Sequence, residues 1–393
     1  MCGSRARNKD CRAVRRGGGS YIGRVLKVAI GRKAAQLNGP KRVYLDHAAT
    51  TPVLPDARAA VFQALERWSN PSSPHTDGRA ARAALEKARR TIADALEWRH
   101  DVVLTSGASE AILIAARQAK VPGRAIGATE HDAVRAAFGR AKVVPVGEAG
   151  LIDRGALAEM IAGTPSLVAI QQVNNETGVI QPIDQIAAEI RAAGSLLLAD
   201  CAQSAGKLPL PDANFISVSA HKLGGPPGVG ALLVRDLARL HAVGGQEKGY
   251  RRGTENLPAA AGFAAALSAG AYDMARLSQL RQALEKEIEG AGGTVIGNAA
   301  PRLATIGCYA MPGVTSASQL VQFDLAGFSV SAGSACSSGS MKPSRVLQAM
   351  ELPEEVVGSA IRVSFGADTT DDDVAAFVAE WRRIFARAQR SAA

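Results

Sequence analysis

NFISVSAHKLGG, residues 214–225, is a short apolar run that ends in a serine, a histidine and a lysine and then breaks on glycine. A run of this length, bounded by a turn signal, reads as a buried strand. Working outward, SLLLAD (195–200) is another apolar run and ends in Asp200, while VVLTSGASEA (102–111) passes through a tight glycine turn into a helix. Further strands are expected at 101–105, 124–128, 142–146, 166–173, 195–199, 214–219 and 229–234, with helices between several of them, such as 108–119 and 182–193. Alternation of this kind predicts an α/β fold with a largely parallel, buried sheet. Residues 258–290 read as one long Ala-rich helix bridging to a second domain. A strand near 360–365 and a last helix follow. That helix opens on TTDDD (369–373) and closes on WRRIFARAQR (381–390), a charge order that suits the helix dipole.

Length and composition narrow the class. The chain has 393 residues, 47 % apolar and 21 % charged, as in globular proteins, and its length suggests two domains. No run of about 18 apolar residues predicts a membrane span. The five cysteines (Cys2, Cys11, Cys201, Cys308, Cys336) are scattered and form no CxxC pair. That argues against a disulfide framework or a zinc site, and for a reducing, cytoplasmic compartment. The net charge of +10 is concentrated in residues 1–42, with twelve Lys and Arg against one acid, Asp10. The remainder is close to neutral, so no direct nucleic-acid binding is expected. Residues 1–42 read as a basic, disordered appendage; a transit-like peptide or an upstream start are the other readings.

Strand ends are where open α/β sheets bind ligands. Ser106, Gly107, Ala108 and Ser109 open a helix whose free N–H groups suit a phosphate, although an ordinary Ser-capped helix has the same look. Lys222 at a strand end is able to form a Schiff base, or is a surface lysine. Asp200, ending a continuous apolar run, needs a cationic partner. Phosphate site, lysine and buried acid together are what pyridoxal 5'-phosphate requires.

These stretches sit among others: YLDHAATTP (44–52), NPSSPH (70–75), TSGASE (105–110), TEHDAV (129–134), VNNETG (173–178), DCAQS (200–204), SVSAHKLGGPPGVGAL (217–232), GGQEKGYRRGTEN (244–256), SAGSACSSGS (331–340) and IRVSFG (361–366). In order and spacing the chain resembles the cysteine desulfurases of the NifS/IscS kind, within the class V aminotransferases of PLP fold type I. The resemblance covers nearly everything after residue 42. It implies a large cofactor-binding domain (54–275) with a mostly parallel seven-stranded sheet, and a smaller α+β domain (43–53 and 276–393) carrying the cysteine loop.

The resemblance also implies roles. Lys222 forms the internal aldimine. His131 stacks on the pyridine ring and moves protons; its plainer reading is a helix cap. Asp200 holds the pyridinium nitrogen, Gln203 the phenolic oxygen, and Asn175 lies between that oxygen and the substrate carboxylate. Ala108, Ser109, Ser219 and His221 form the phosphate cup. Thr254 reaches the phosphate from the other subunit, which implies a homodimer. Arg362 clamps the substrate carboxylate. Cys336 attacks the sulfur of L-cysteine, keeps a persulfide and passes it to an acceptor protein, an iron–sulfur scaffold or a thiolation carrier. Small residues around Cys336 suit a loop that visits both cofactor and partner. Cys201 and Cys308, in apolar settings, are expected in the core.

There are departures. Ser109 stands where threonine is usual, and Cys201 where a small residue is common beside Asp200. The chain stops at Ala393, where housekeeping relatives continue with an extension that helps dock the scaffold, so the acceptor stays open. Two other readings remain at this point: another class V enzyme with Cys336 a bystander, and a non-enzymatic assembly scaffold.

Overall fold

The computed structural model describes residues 42–66, 68–333 and 343–392. After a two-residue strand Val43–Tyr44 (β1), the chain builds a seven-stranded sheet from Asp101–Thr105 (β2), Gly123–Gly127 (β3), Lys142–Val144 (β4), Ser166–Gln171 (β5), Leu196–Asp200 (β6), Phe215–Ser219 (β7) and Gly230–Val234 (β8). The strand order is β2-β8-β7-β6-β5-β3-β4. Pairings among β3 to β7 are parallel, and β8 runs antiparallel to both β2 and β7. The α/β class expected from the sequence, with its mostly parallel seven-stranded sheet, is what the chain adopts.

The continuous apolar runs have a simple physical origin. Helices cover both faces, so every position of β6 is buried and alternate residues serve opposite layers. Leu197 and Ala199 enter one core, with Ile170, Ile216 and Leu233. Leu196 and Leu198 enter the other, with Leu167, Phe215 and Leu232. A second, antiparallel sheet is made by Thr294–Val295 (β9), Ile306–Ala310 (β10) and Ala360–Ser364 (β12), in the order β12-β10-β9, while Phe328–Ser329 (β11) pairs with β1. Its core is aromatic: Phe323 stacks on Phe377 at 4.7 Å, with Trp381 alongside, from the final helix Asp371–Ala392. Apart from Arg42, the described residues belong to one compact unit beginning at Val43.

One expected element divides. Residues 258–290 are two helices, Leu257–Ser268 and Met274–Gly290. Gly270 takes φ +53°, a conformation that ends helices, and Asp273 caps the second helix by accepting from the Arg276 N–H. Alanine richness masked this break.

The segment 244–256 is tied to the main sheet by a buried ion pair. Glu247 accepts from Arg89 at 2.5 and 2.9 Å, and from the Leu104 N–H of β2 at 2.8 Å. The Glu247 side chain is fully buried and Arg89 nearly so. Arg154–Glu189, by contrast, is a bidentate pair on the surface. Removing one partner of a buried pair strands a charge, whereas an exposed pair is worth little. Glu247→Ala is therefore expected to cost about 3–5 kcal/mol in urea-unfolding free energy, and Glu189→Ala to leave it close to wild type.

Candidate active site

The carboxyl ends of β2, β3, β5, β6 and β7 open onto a cavity of about 540 Å³, which Asp46 and Arg362 also line. The helix Ala108–Gln118 points its start into it. Ala111 makes the first intrahelical bond, to the Gly107 carbonyl, so the N–H groups of Ala108 and Ser109 have no partner within the helix. Gly107 has φ +153°, and a Cβ placed on it would project to 3.9 Å from Ser219 Oγ, into the space between them. The Ser109 and Ser219 hydroxyls also face this cavity. Glu110 lies beside the cradle with its charge engaged: it accepts from Ser106 N–H at 2.5 Å and Arg251 at 3.0 Å. His221 joins the cradle, its Nδ1 3.1 Å from Thr50 Oγ1. Burial, then the nearby Lys222 ammonium, pulls the His221 pKa down to about 4, so the ring is neutral at neutral pH.

Asp200 ends β6 and is 9 % exposed. The Ser217 hydroxyl and the Ala202 N–H both donate to its Oδ1, at 2.9 and 3.0 Å. Lys222 stands in the 3₁₀ turn Ala220–Lys222 directly after β7. His131 is both things the sequence allows: it caps the helix Asp132–Phe138 and lines the cavity. Its Nδ1 accepts from the Ala133 N–H at 3.1 Å, which leaves the neutral ring protonated at Nε2. Burial, then the Lys222 charge, lowers its pKa, against the opposing pull of Asp200. Gln203 donates to the Ala48 carbonyl at 3.0 Å, and its amide oxygen is buried without a partner.

Arg362, on β12, donates to the Asn175 carbonyl at 3.0 Å and to Asp46 at 2.7 Å; its Nε is buried and unpartnered. Its backbone exchanges two hydrogen bonds with Ser331. Gly333, just beyond Ser331, lines the cavity. Ser344 donates to Glu176 at 2.5 Å, and Arg345 pairs with Asp132, the neighbour of His131.

Ala108, Ser109, His131, Asn175, Asp200, Gln203, Ser219, His221, Lys222 and Arg362 thus surround one cavity. Thr254 is exposed and is not among the residues around it. Cys336 lies outside the described residues. Cys201 and Cys308 are buried, as expected, and burial pushes both thiols well above their usual range. Four residues were missed: Asp46, Glu130, Glu176 and Lys207. The first three sit inside YLDHAATTP, TEHDAV and VNNETG, so the signal was an acid beside an expected site residue. Glu130 is buried, accepting from Gln171 N–H, and its carboxyl is pushed well above the carboxylate range by burial.

An anion cradle, a lysine at a strand end, a buried carboxylate with one oxygen engaged and an orphaned amide oxygen together fit pyridoxal 5'-phosphate. The site is that of an enzyme of the pyridoxal phosphate class. The class-V aminotransferase domain matches residues 43–377, and the chain belongs to that family, in its cysteine desulfurase branch. It is 35 % identical to a cysteine desulfurase of Rhodobacter capsulatus over 372 residues, which is 88 % of this chain and 96 % of the relative. A NifS-like protein from Rickettsia africae superposes with TM-score 0.81 at 29 % identity, covering 88 % and 99 % of the two chains. The structure of SspA in complex with cysteine superposes with TM-score 0.72 at 29 % identity, covering 83 % and 99 %. Among the described residues no helix is long and apolar enough to cross a membrane.

The site's electrostatics are measurable without turnover. The His221 ring should titrate near 4 in NMR spectra of the cofactor-free protein, well below the 6.5 of a solvated ring. Between those values the unfolded chain binds the extra proton and the folded chain does not, so stability falls as pH falls from 6.5 to about 4. His221→Gln should flatten that part of the curve.

Proposed function

We propose that this chain is a cysteine desulfurase, using pyridoxal 5'-phosphate to take sulfur from L-cysteine and pass it on through Cys336. The observation that carries the reading is the convergence of Lys222, Asp200, His131 and Arg362 on one cavity, in a chain whose relatives are named for that activity.

Bound there, the cofactor supplies an electron sink for the bonds around the substrate's amino-bearing carbon. Lys222 would be its covalent anchor, and Asp200 would take the proton-bearing ring nitrogen, so that a buried charge would gain its cation. Ala108, Ser109, Ser219 and neutral His221 hold the phosphate by N–H and hydroxyl donors. Gln203 would face the phenolic oxygen, with Asn175 between it and the substrate carboxylate. Arg362 receives that carboxylate, which suits a planar bidentate donor, and Asp46 keeps the guanidinium in place beforehand. His131, with its proton on Nε2, would face the ring and could hold or move a proton there. Residues 54–275 hold the cofactor, while 43–53 and 276–393 bring Arg362 and the cysteine segment.

At Cys336 the thiolate is the reactive form. The C–S bond of L-cysteine breaks, an S–S bond forms on Cys336, and the released carbon takes a proton to give L-alanine. The persulfide then goes to an acceptor protein of iron–sulfur assembly or thiolation. The enzyme works as a cytoplasmic homodimer in which Thr254 reaches the partner's phosphate.

The test is turnover of the purified holoenzyme with L-cysteine and a reductant, quantifying alanine and sulfide. Wild type should yield equal amounts. Cys336→Ala should keep the bound-cofactor absorbance and lose both products by about 10³-fold or more. If Cys336→Ala retains activity, or wild type makes neither product, the reading fails.

A further inference from the structure

Behind the Lys222 turn lies a second lysine that the proposed reaction does not use. Lys207 donates from Nζ to the Lys222 carbonyl at 3.2 Å, and the same ammonium stands 4.7 Å from the centroid of the Tyr272 ring. That carbonyl is left over by the turn itself, because the Leu223 and Gly225 N–H groups both close on Ala220. Its other neighbour is Thr51 Oγ1 at 3.5 Å. The partners of Lys207 are therefore a carbonyl and a ring, not a carboxylate. The titratable groups facing this pocket are Lys222 from the turn, His47 from the segment after β1, and Tyr272 from the loop before Met274–Gly290; Asp368 acts on His47 and Tyr272, and Asp46 on His47. On its cavity side Lys222 acts on His131 and His221, with Asp200 in the same cavity. His47 is 5 % exposed with Nδ1 unpartnered, and the Tyr272 hydroxyl is buried. Among the described residues no neighbour supplies Lys207 with a compensating negative charge, and burial with the Lys222 charge brings its pKa down to about 7.

We propose that Lys207 is a positioning residue: it holds the Lys222 turn by the carbonyl and, by like-charge repulsion from behind, sets how readily the Lys222 nitrogen keeps a proton. The inference rests on Lys222 carrying the cofactor. Two cations that act on each other across a short turn titrate as a pair, so each proton weakens the other. A cation in this position favours an unprotonated Lys222 nitrogen, the form that acts as a base.

The experiment is a spectrophotometric titration of the visible absorbance of bound cofactor in wild type, Lys207→Met, Lys207→Arg and Lys222→Ala. Wild type should change over a broad range, in two steps. Lys207→Met keeps the length of the side chain and removes the charge; its curve should collapse to one step and move to higher pH, an increase of about tenfold in proton affinity. Lys207→Arg carries a charge that does not titrate and should move the curve to lower pH. Loss of the methionine variant through misfolding is not expected. A cation with a depressed pKa weakens the fold fully below about 7, and the penalty is relieved as pH rises toward 10.5. If Lys207→Met nevertheless fails to accumulate, Lys207→Arg decides alone. Variants that weaken cofactor binding yet leave the titration where wild type has it would show a merely structural lysine and overturn the proposal. Absorbance lost in Lys222→Ala but unmoved by both Lys207 variants overturns the role of Lys207 and leaves Lys222 assigned. A pH-dependent absorbance change that persists unaltered in Lys222→Ala overturns both.

Discussion

A carboxylate at the end of a buried apolar strand has to be compensated, and the structure around Asp200 is arranged by that requirement. β6 lies between β5 and β7, with Gln171 and Ser217 as the register neighbours of Asp200. Ser217 and the Ala202 N–H satisfy one carboxylate oxygen. The rest of the charge faces the cavity, where Lys222 and His131 also stand. Burying a charge without a partner is costly, and a ring nitrogen that carries a proton is the partner such a geometry suits.

The parallel sheet explains why so many distant residues meet. β3, β5, β6 and β7 run the same way, so their last residues lie along one edge, and the segments that follow deliver His131, Asn175, Gln203 and Lys222 to it. β8 runs the other way and starts at that edge. Its first residue, Gly230, has to be glycine: a Cβ there would lie 2.4 Å from the Val218 carbonyl oxygen and 2.7 Å from Gly107 Cα. The close approach of β8 to the Gly107 turn keeps the start of the helix Ala108–Gln118 against the Ser219 end of β7. The anion cradle is thus a consequence of backbone packing, and the hydroxyls of Ser109 and Ser219 complete it.

Most of this was legible in the sequence, for reasons that differ by element. The strands of the main sheet were visible because burial on both faces leaves unbroken apolar runs; the ends of β6 and β7 were legible because Asp200 and Lys222 interrupt them. Periodicity could not reveal the break at Gly270, since alanine on either side satisfies any helical face. Lys207 and Asp46 were illegible for another reason. Their importance lies in contacts across long sequence separations, with the Lys222 carbonyl and the Arg362 guanidinium. A lysine or an aspartate in a loop has no local pattern that announces such a partner. Glu130 looked like an acid flanking His131, and its burial follows from the fit of β3 against β5, where the Gln171 N–H donates to it.

Arg362 shows how the second sheet serves the first. A guanidinium held by Asp46 and the Asn175 carbonyl is already oriented before any carboxylate arrives, so little rotamer freedom remains to be lost on binding. That orientation depends on β12 being fixed. β12 is paired along its length with β10, and Ser364 near its end accepts from Ala48 N–H at 2.9 Å. The sheet in turn is held by the Phe323, Phe377 and Trp381 cluster, whose rings share no contact with the cavity. Arg362 also pairs through its backbone with Ser331, so its guanidinium and the chain at Ser331 are fixed to the same strand. A change in the aromatic core would reach Arg362 and Ser331 together, while the helix start at Ala108 and the Ser219 end of β7, built on the other sheet, would be left in place.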